Sequence, residues 1–197
     1  MHHGGEEAPE RDPTHGVAAQ AKSLAAEGAL IRPTAESDFD AIAEITNHYI
    51  LNTAIHFGYE AVTGEELRRT WREGLAVYPW FTATIDKRVV GYAKAGAWRT
   101  RPAYRWTCEV GLYLAHDARG AGLGTRLYRA LIDELKVRGF HSAVGGLTLP
   151  NEASRRLHEK LGFVFVGTFH ESGYKLGAWH DTGFWQLMLR DSTHRPG

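Results

Sequence analysis

Residues 106–139 read WTCEVGLYLAHDARGAGLGTRLYRALIDELKVRG, and the fold turns on how this stretch divides. The run 106–115 is β-like. Strand alternation puts Thr107, Glu109, Gly111 and Tyr113 on one face and Cys108, Val110, Leu112 and Leu114 on the other. After the glycine-rich segment, Leu123, Leu127, Leu131 and Leu135 stripe one side of a long helix. Gly139 stops it, as a residue suited to a left-handed C-terminal cap. A strand is expected at 142–149, a helix from Asn151 to Leu161 stopping at Gly162, and strands near 163–170 and 182–189. A helical crossover over 122–138 makes strands 106–115 and 142–149 parallel.

Upstream, Phe39, Ile42, Ile45 and Tyr49 share a helical face, and Ser37-Asp-Phe-Asp40 resembles a capping box with Asp in place of Glu. Thr63-Gly-Glu-Glu66 is a second box, followed by Leu67, Trp71 and Leu75. Strands at 80–86 and 89–97, linked by Asp86, Lys87 and Arg88, form a hairpin. Hairpin strands followed by strand–helix–strand–helix–strand imply a mixed α/β sheet. Residues 1–28 are polar, Pro/Gly-rich and then Ala-rich, and read as a flexible tail before a single domain at 29–192. His2 and His3 lie on that tail and read as incidental.

Composition narrows the function. With 23 Lys+Arg against 23 Asp+Glu, the formal net charge is zero, which removes the usual electrostatic case for nucleic acid or an anionic membrane. No stretch approaches the ~20 apolar residues of a membrane helix. The N-terminus has no apolar signal core, so a cytoplasmic protein is expected. One cysteine, Cys108, allows no intrachain disulfide. The eleven histidines offer no ligand pair at metal-binding spacing, so no metal is expected.

The loop Arg119-Gly-Ala-Gly-Leu-Gly124 lies between strand and helix, where unpaired N–H groups at a helix N-terminus can receive phosphate. A tight turn needing small residues is the plainer reading. Two phosphate loops fail. A Walker loop requires Gly-Lys-Ser/Thr, whereas Thr125 follows Gly124 directly. A dinucleotide fingerprint requires an acid at the end of the next strand, and SAVGGLTL has none.

Arg119, Gly122 and Gly124 do match the arginine-x-x-Gly-x-Gly/Ala loop of the GNAT N-acetyltransferase superfamily. Asn151-Glu-Ala-Ser154 with the segment from Leu157 to Phe163 resembles that superfamily's second coenzyme A segment. Five further pieces resemble its phosphinothricin and methionine sulfone/sulfoximine acetyltransferase branch. They are Ile45-Thr-Asn-His-Tyr49, Tyr78-Pro-Trp80, Tyr104-Arg-Trp-Thr-Cys-Glu109, Leu149-Pro-Asn151, and Gly173-Tyr-Lys175 running to Gly183-Phe-Trp185. The resemblance covers about residues 30–190. It implies a mostly antiparallel mixed sheet of about six to seven strands with about four helices and splayed parallel central strands. It also implies acetyl-CoA as co-substrate, a small amino-acid analogue as acceptor, and a homodimer.

Acyl transfer from a thioester to an amine needs a base, donors for an oxyanion and neutralisation of the leaving thiolate. An amine of pKa about 8–10 is mostly protonated at neutral pH. The resemblance makes Glu109 the general base. From the residues alone, a carboxylate inside an apolar strand can equally be paired with an arginine of the 99–105 run. Cys108 points to the opposite face and reads as a small core residue. By resemblance Leu112, Tyr113 and Leu114 pair with the pantetheine arm. Arg119, Gly120, Ala121, Gly122, Leu123, Gly124 and Thr125 hold the pyrophosphate, and Asn151 contacts the coenzyme near the thioester. His158 stands where many superfamily members carry a Tyr serving the sulfur as acid; a helix histidine bonded to a carbonyl is the alternative.

Arg99, Arg101 and Tyr104 face the amino-acid substrate by resemblance, with Phe57 and Lys175 contributing; guanidinium suits bidentate binding of carboxylate or phosphinate. A solvated basic loop is the other reading. Gly111 departs from the hydroxyl residue expected in herbicide-detoxifying members, which points to an acceptor of different size or polarity. The activity implied is direct acetyl transfer from acetyl-CoA to the amino group of a phosphinothricin, methionine sulfone or methionine sulfoximine type compound. The rivals are an enzyme for a peptide N-terminus or polyamine, and a non-catalytic acyl-CoA sensor.

Overall fold

The computed structural model describes residues 28–119, 122–191 and 193. Residues 1–27, His2 and His3 among them, and Gly120 and Ala121 of the glycine loop lie outside the described residues. A seven-stranded sheet runs in the order β1-β2-β3-β4-β5-β7-β6, with four α-helices among the described residues. In chain order the elements are β1 (Leu30–Pro33), α1 (Phe39–Asn52), α2 (Gly64–Gly74), β2 (Trp80–Ile85), β3 (Arg88–Ala97) and β4 (Thr107–Leu114). They continue as α3 (Leu123–Val137), β5 (Ser142–Thr148), α4 (Glu152–Lys160), β6 (Val164–Lys175) and β7 (Ala178–Met188).

Local chemistry explains the punctuation. Thr63 Oγ1 accepts from the Glu66 N–H at 3.2 Å while Glu66 accepts from the Thr63 N–H at 2.8 Å, so the reciprocal box expected at α2 is present. At α1 the cap differs from expectation. The Asp38 carboxylate, not Asp40, accepts from the Ala35 N–H at 2.9 Å, and it also receives both Arg32 guanidinium nitrogens at 2.7 Å. Asp38 is buried by that arrangement, and Arg32 supplies the counter-charge it needs there. Asp86 and Lys87 both take positive φ in the β2–β3 link, as a two-residue hairpin turn requires.

Antiparallel pairing holds everywhere except β4 with β5. Those two are parallel and paired only over Thr107–Glu109 against Ser142–Val144. Beyond Glu109, β4 stays on β3 while β5 stays on β7, so a gap opens between the central strands. The gap positions the site.

Each sheet face carries its own core. Leu123, Leu127, Tyr128, Leu131 and Leu135 of α3 bury against Cys108, Val110 and Ala143 on one face. Phe39, Ile42, Ile45 and Tyr49 of α1 with Trp71 of α2 bury against Trp80 and Tyr92 on the other. Truncating one of the fully buried leucines to Ala costs about 2–5 kcal/mol. No helix among the described residues is long and apolar enough to cross a membrane.

Candidate active site

Glu109 stands at the last parallel pair, where the gap begins. Its side chain lines a cavity of 380 Å³ bounded by α2 and the strands β2–β4, with Thr70, Tyr78, Trp80, Lys94, Gly111 and Tyr113 among the walls. Burial raises its pKa above the ordinary carboxylate value, and the Lys94 ammonium offsets part of the rise. The pairing with an arginine of 99–105 left open by the sequence is not made: among the described residues Glu109 forms no ion pair. Gly146 of β5 faces it across the gap; a Cβ there would sit 3.7 Å from Glu109 Oε1 and 3.1 Å from the Phe184 ring.

On the far side of the gap is a groove of 620 Å³. Leu112, Leu114, Arg119, Gly122, Gly124, Thr125 and Asn151 line it, which brings together seven of the residues expected to hold a coenzyme. Leu123 and Tyr113 turn their side chains elsewhere, Leu123 into the α3 core and Tyr113 toward the Glu109 cavity, so only their main chains are placed for such a role. Tyr49 Oη donates to the Leu114 carbonyl at 2.8 Å and receives the Leu114 N–H at 3.3 Å. By alternation, the main chain of Leu112 faces the same side, toward the gap.

Three features fit an anion in this groove. Gly122 takes φ +77°, and a Cβ there would meet nothing within 4 Å, so the backbone borders open space. It caps α3 without any side-chain hydrogen bond, leaving N–H groups of the first turn directed outward. Arg119 Nη2 is buried with no hydrogen-bond partner among the described residues, and its guanidinium lies over the Tyr49 ring at 5.2 Å. A buried guanidinium nitrogen without a partner calls for an anionic acceptor. Arg156 and Lys160, four residues apart on α4, line the opposite wall. Sequence reasoning passed over both, although that spacing puts them on one helical face. Asn151 caps α4 through Oδ1, 3.2 Å from the Ser154 N–H, which leaves its NH₂ free to face the groove.

His158 sits elsewhere. It is buried on α4 behind β5, and a Cβ at Gly145 would lie 2.4 Å from its Nε2. Nδ1 donates to the Ser154 carbonyl at 2.8 Å, so Nε2, 3.1 Å from Tyr128 Oη, accepts from that hydroxyl. Burial lowers its pKa. Both ring nitrogens are occupied, so the geometry realises the carbonyl-bonded alternative. Cys108 is fully buried in the α3 core with its thiol pushed up to about 12, which leaves no thiolate for an acyl intermediate.

Arg99 and Tyr104 line a third cavity, of 500 Å³, with Trp98, Thr107, Phe169, Phe184 and Gln186. Arg99 stacks on Trp98 at 5.2 Å, and Trp98 meets Phe184 edge to face at 5.7 Å. This cavity shares a sheet face with Glu109, because Thr107 is two residues away on the same strand. Arg101 is exposed and lines none of the three cavities. Phe57 packs over Gly173, and Lys175, buried at 3% exposure, donates to the Ile50 carbonyl at 2.5 Å and to the His56 carbonyl. These are the contacts made by the two residues expected to contribute to the acceptor site. They fasten the end of α1 and the segment after it to the β6–β7 hairpin, because a buried ammonium takes the nearest carbonyls. No cluster of His, Cys, Asp or Glu able to hold a metal ion is present among the described residues.

Comparison with known proteins follows the same lines. Residues 45–163 match the Acetyltransferase (GNAT) family. Phosphinothricin N-acetyltransferase of Streptomyces viridochromogenes is 42% identical over 160 residues, 79% of this chain and 85% of that one. The L-methionine sulfoximine/L-methionine sulfone acetyltransferase of Salmonella typhimurium is 38% identical over 161 residues, 81% of this chain and 94% of that one. Among solved structures, a phosphinothricin acetyltransferase from Sinorhizobium meliloti in complex with acetyl-CoA superposes with a TM-score of 0.82 at 30% identity. That match covers 86% of this chain and 94% of the other.

Proposed function

Because this chain belongs to the GNAT acetyltransferase family and is an N-acetyltransferase, we propose that it acetylates the amino group of a small anionic amino-acid analogue by direct transfer. The acceptor class is of the phosphinothricin, methionine sulfone or methionine sulfoximine type. The observation that carries this reading is the position of Glu109, an unpaired carboxylate at the mouth of the gap, with the anion-fitted groove on one side and a cavity on the other.

Acetyl-CoA supplies the activated acetyl group when bound. Arg119 and the main chain from Gly122 to Thr125 hold its pyrophosphate, as would Gly120 and Ala121, and Arg156 and Lys160 add charge from α4. The strand Leu112–Leu114 lies along its arm, and the Asn151 amide donates near the thioester. Glu109 takes a proton from the acceptor ammonium, directly or through one water, and the raised pKa brings it nearer the working pH. Arg99 and Tyr104 hold the distal polar group of the acceptor. His158 positions Tyr128 and the β5 backbone at Gly145 without touching the reacting atoms.

Cations at Lys94 and Arg99 favour an anionic acceptor over a polyamine. A panel of phosphinothricin, methionine sulfone, methionine sulfoximine, spermidine and a short peptide, followed by free-thiol release from acetyl-CoA, tests the reading. The anionic amino acids are expected to give the highest kcat/KM. A polyamine or peptide ahead of all of them overturns the assignment.

A further inference from the structure

The Glu109 cavity has one ammonium among its lining residues. Lys94 lies mid-strand in β3, half-buried, on the cavity wall. Among the described residues it has neither a hydrogen bond nor an ion pair; its Nζ rests over the Trp80 ring at 5.1 Å. The sheet register explains how it fits. Trp80, Lys94 and Gly111 form one cross-strand row on β2, β3 and β4. Trp80 is the floor on one side. Gly111 on the other has no side chain, and a Cβ there would meet only the Tyr113 ring, at 3.7 Å. The long lysine side chain thus has empty space opposite it where a larger residue would have filled the row.

We propose that Lys94, in the space left by Gly111, is the seat for the acceptor's carboxylate and selects acceptors whose amine and carboxylate belong to one α-amino acid. This rests on the acceptor occupying the Glu109 cavity. Gly96 pairs with Glu109 and Lys94 with Gly111, so Lys94 is the diagonal neighbour of Glu109 on the same face. Diagonal neighbours stand about 7–8 Å apart, room for an amine at the base and a carboxylate at the ammonium. A desolvated ammonium without a protein partner gains from such an anion, and burial lowers its pKa until one arrives, with Glu109 opposing that shift. Arg99 and Tyr104, in the neighbouring cavity beyond Trp98 and Phe184, are then left for the other end of the molecule. The division of labour accounts at once for the unpartnered lysine and for the open space at Gly111.

The test compares methionine sulfone with its carboxamide, which keeps the amine and the sulfone and removes the negative charge. In the wild type, kcat/KM for the acid exceeds that for the amide. Lys94→Met should reduce this ratio at least tenfold, mainly through KM for the acid, and Lys94→Arg should retain most of it. Gly111→Asp fits the open space and pairs the ammonium internally, so it should reduce the ratio as Lys94→Met does without touching the lysine. Calorimetric titration of methionine sulfone into the CoA-bound proteins reads the same seat independently of turnover, with weaker binding expected in Lys94→Met and Gly111→Asp. An unchanged ratio or unchanged binding in both variants overturns the proposal. So does an equal loss for acid and amide with a shifted acidic limb of the pH–rate profile, because Lys94 would then act on Glu109 alone. Absence of methionine sulfone binding to the wild type overturns it as well. If the wild type binds methionine sulfone but acetylates neither compound, the function proposed above fails while the binding comparison still decides the seat.

Discussion

At the scale of single residues, the site is built from groups whose charge the fold makes costly. Glu109 is raised by burial and only partly relieved by Lys94. A carboxyl whose folded pKa exceeds its unfolded value loses stability as pH rises from the unfolded pKa through the folded one, and above both the cost is fully present. Glu109→Gln removes that cost, so the variant should melt higher than the wild type at pH 7, by calorimetry. Its turnover at pH 7 should fall about 10²–10⁴-fold with acetyl-CoA affinity retained, recovering partly as pH rises and free amine accumulates. Wild-type turnover would remove Glu109 from the mechanism. Glu109 was legible because a charge in an alternating apolar strand demands a reason. Lys94 was not, because a lysine in a strand commonly snorkels to solvent, and only the register shows it facing Gly111. The contacts of Lys175 were hidden for a similar reason: nothing in its spacing indicates that the Ile50 and His56 carbonyls would take it.

At the scale of elements, the start of α3 carries the most consequence. Valine is a poor probe of Gly122, because β-branched residues are strained at φ +77°. Asn tolerates that conformation and projects into the open groove. Gly122→Asn should therefore weaken acetyl-CoA binding in a calorimetric titration while leaving the melting temperature close to wild type; unchanged affinity would place the coenzyme elsewhere. Helices were read well because their apolar stripes and caps are periodic and local. β1 escaped notice because four edge residues carry too little pattern, although Arg32 within it supplies the counter-charge to Asp38. β6 runs to Lys175, beyond the expected end near 170, because its register shifts between Phe169 and Gly173 and breaks the alternation. Glu171, at φ 48°, sits in that irregularity.

At the scale of the molecule, the parallel crossover was readable from the order of strands and helices, and the gap followed only from the resemblance. Strand pairing is a long-range property, and no local pattern says that β4 and β5 part after Glu109. Ala29 is buried in the α3 core, so the domain is expected to need little before Gly28. A chain beginning at Gly28 should melt within a degree or two of the full one; a drop several times larger would show that the preceding residues contribute to stability. The groove and the Glu109 cavity share β4, Leu112 and Leu114 lining the one and Glu109, Gly111 and Tyr113 the other. Initial rates of thiol release over a grid of acetyl-CoA and methionine sulfone concentrations are the most direct test of the proposed transfer. Direct transfer at Glu109 predicts intersecting double-reciprocal lines and no thiol release without acceptor. Parallel lines, with one equivalent of thiol released before any acceptor is added, would contradict it.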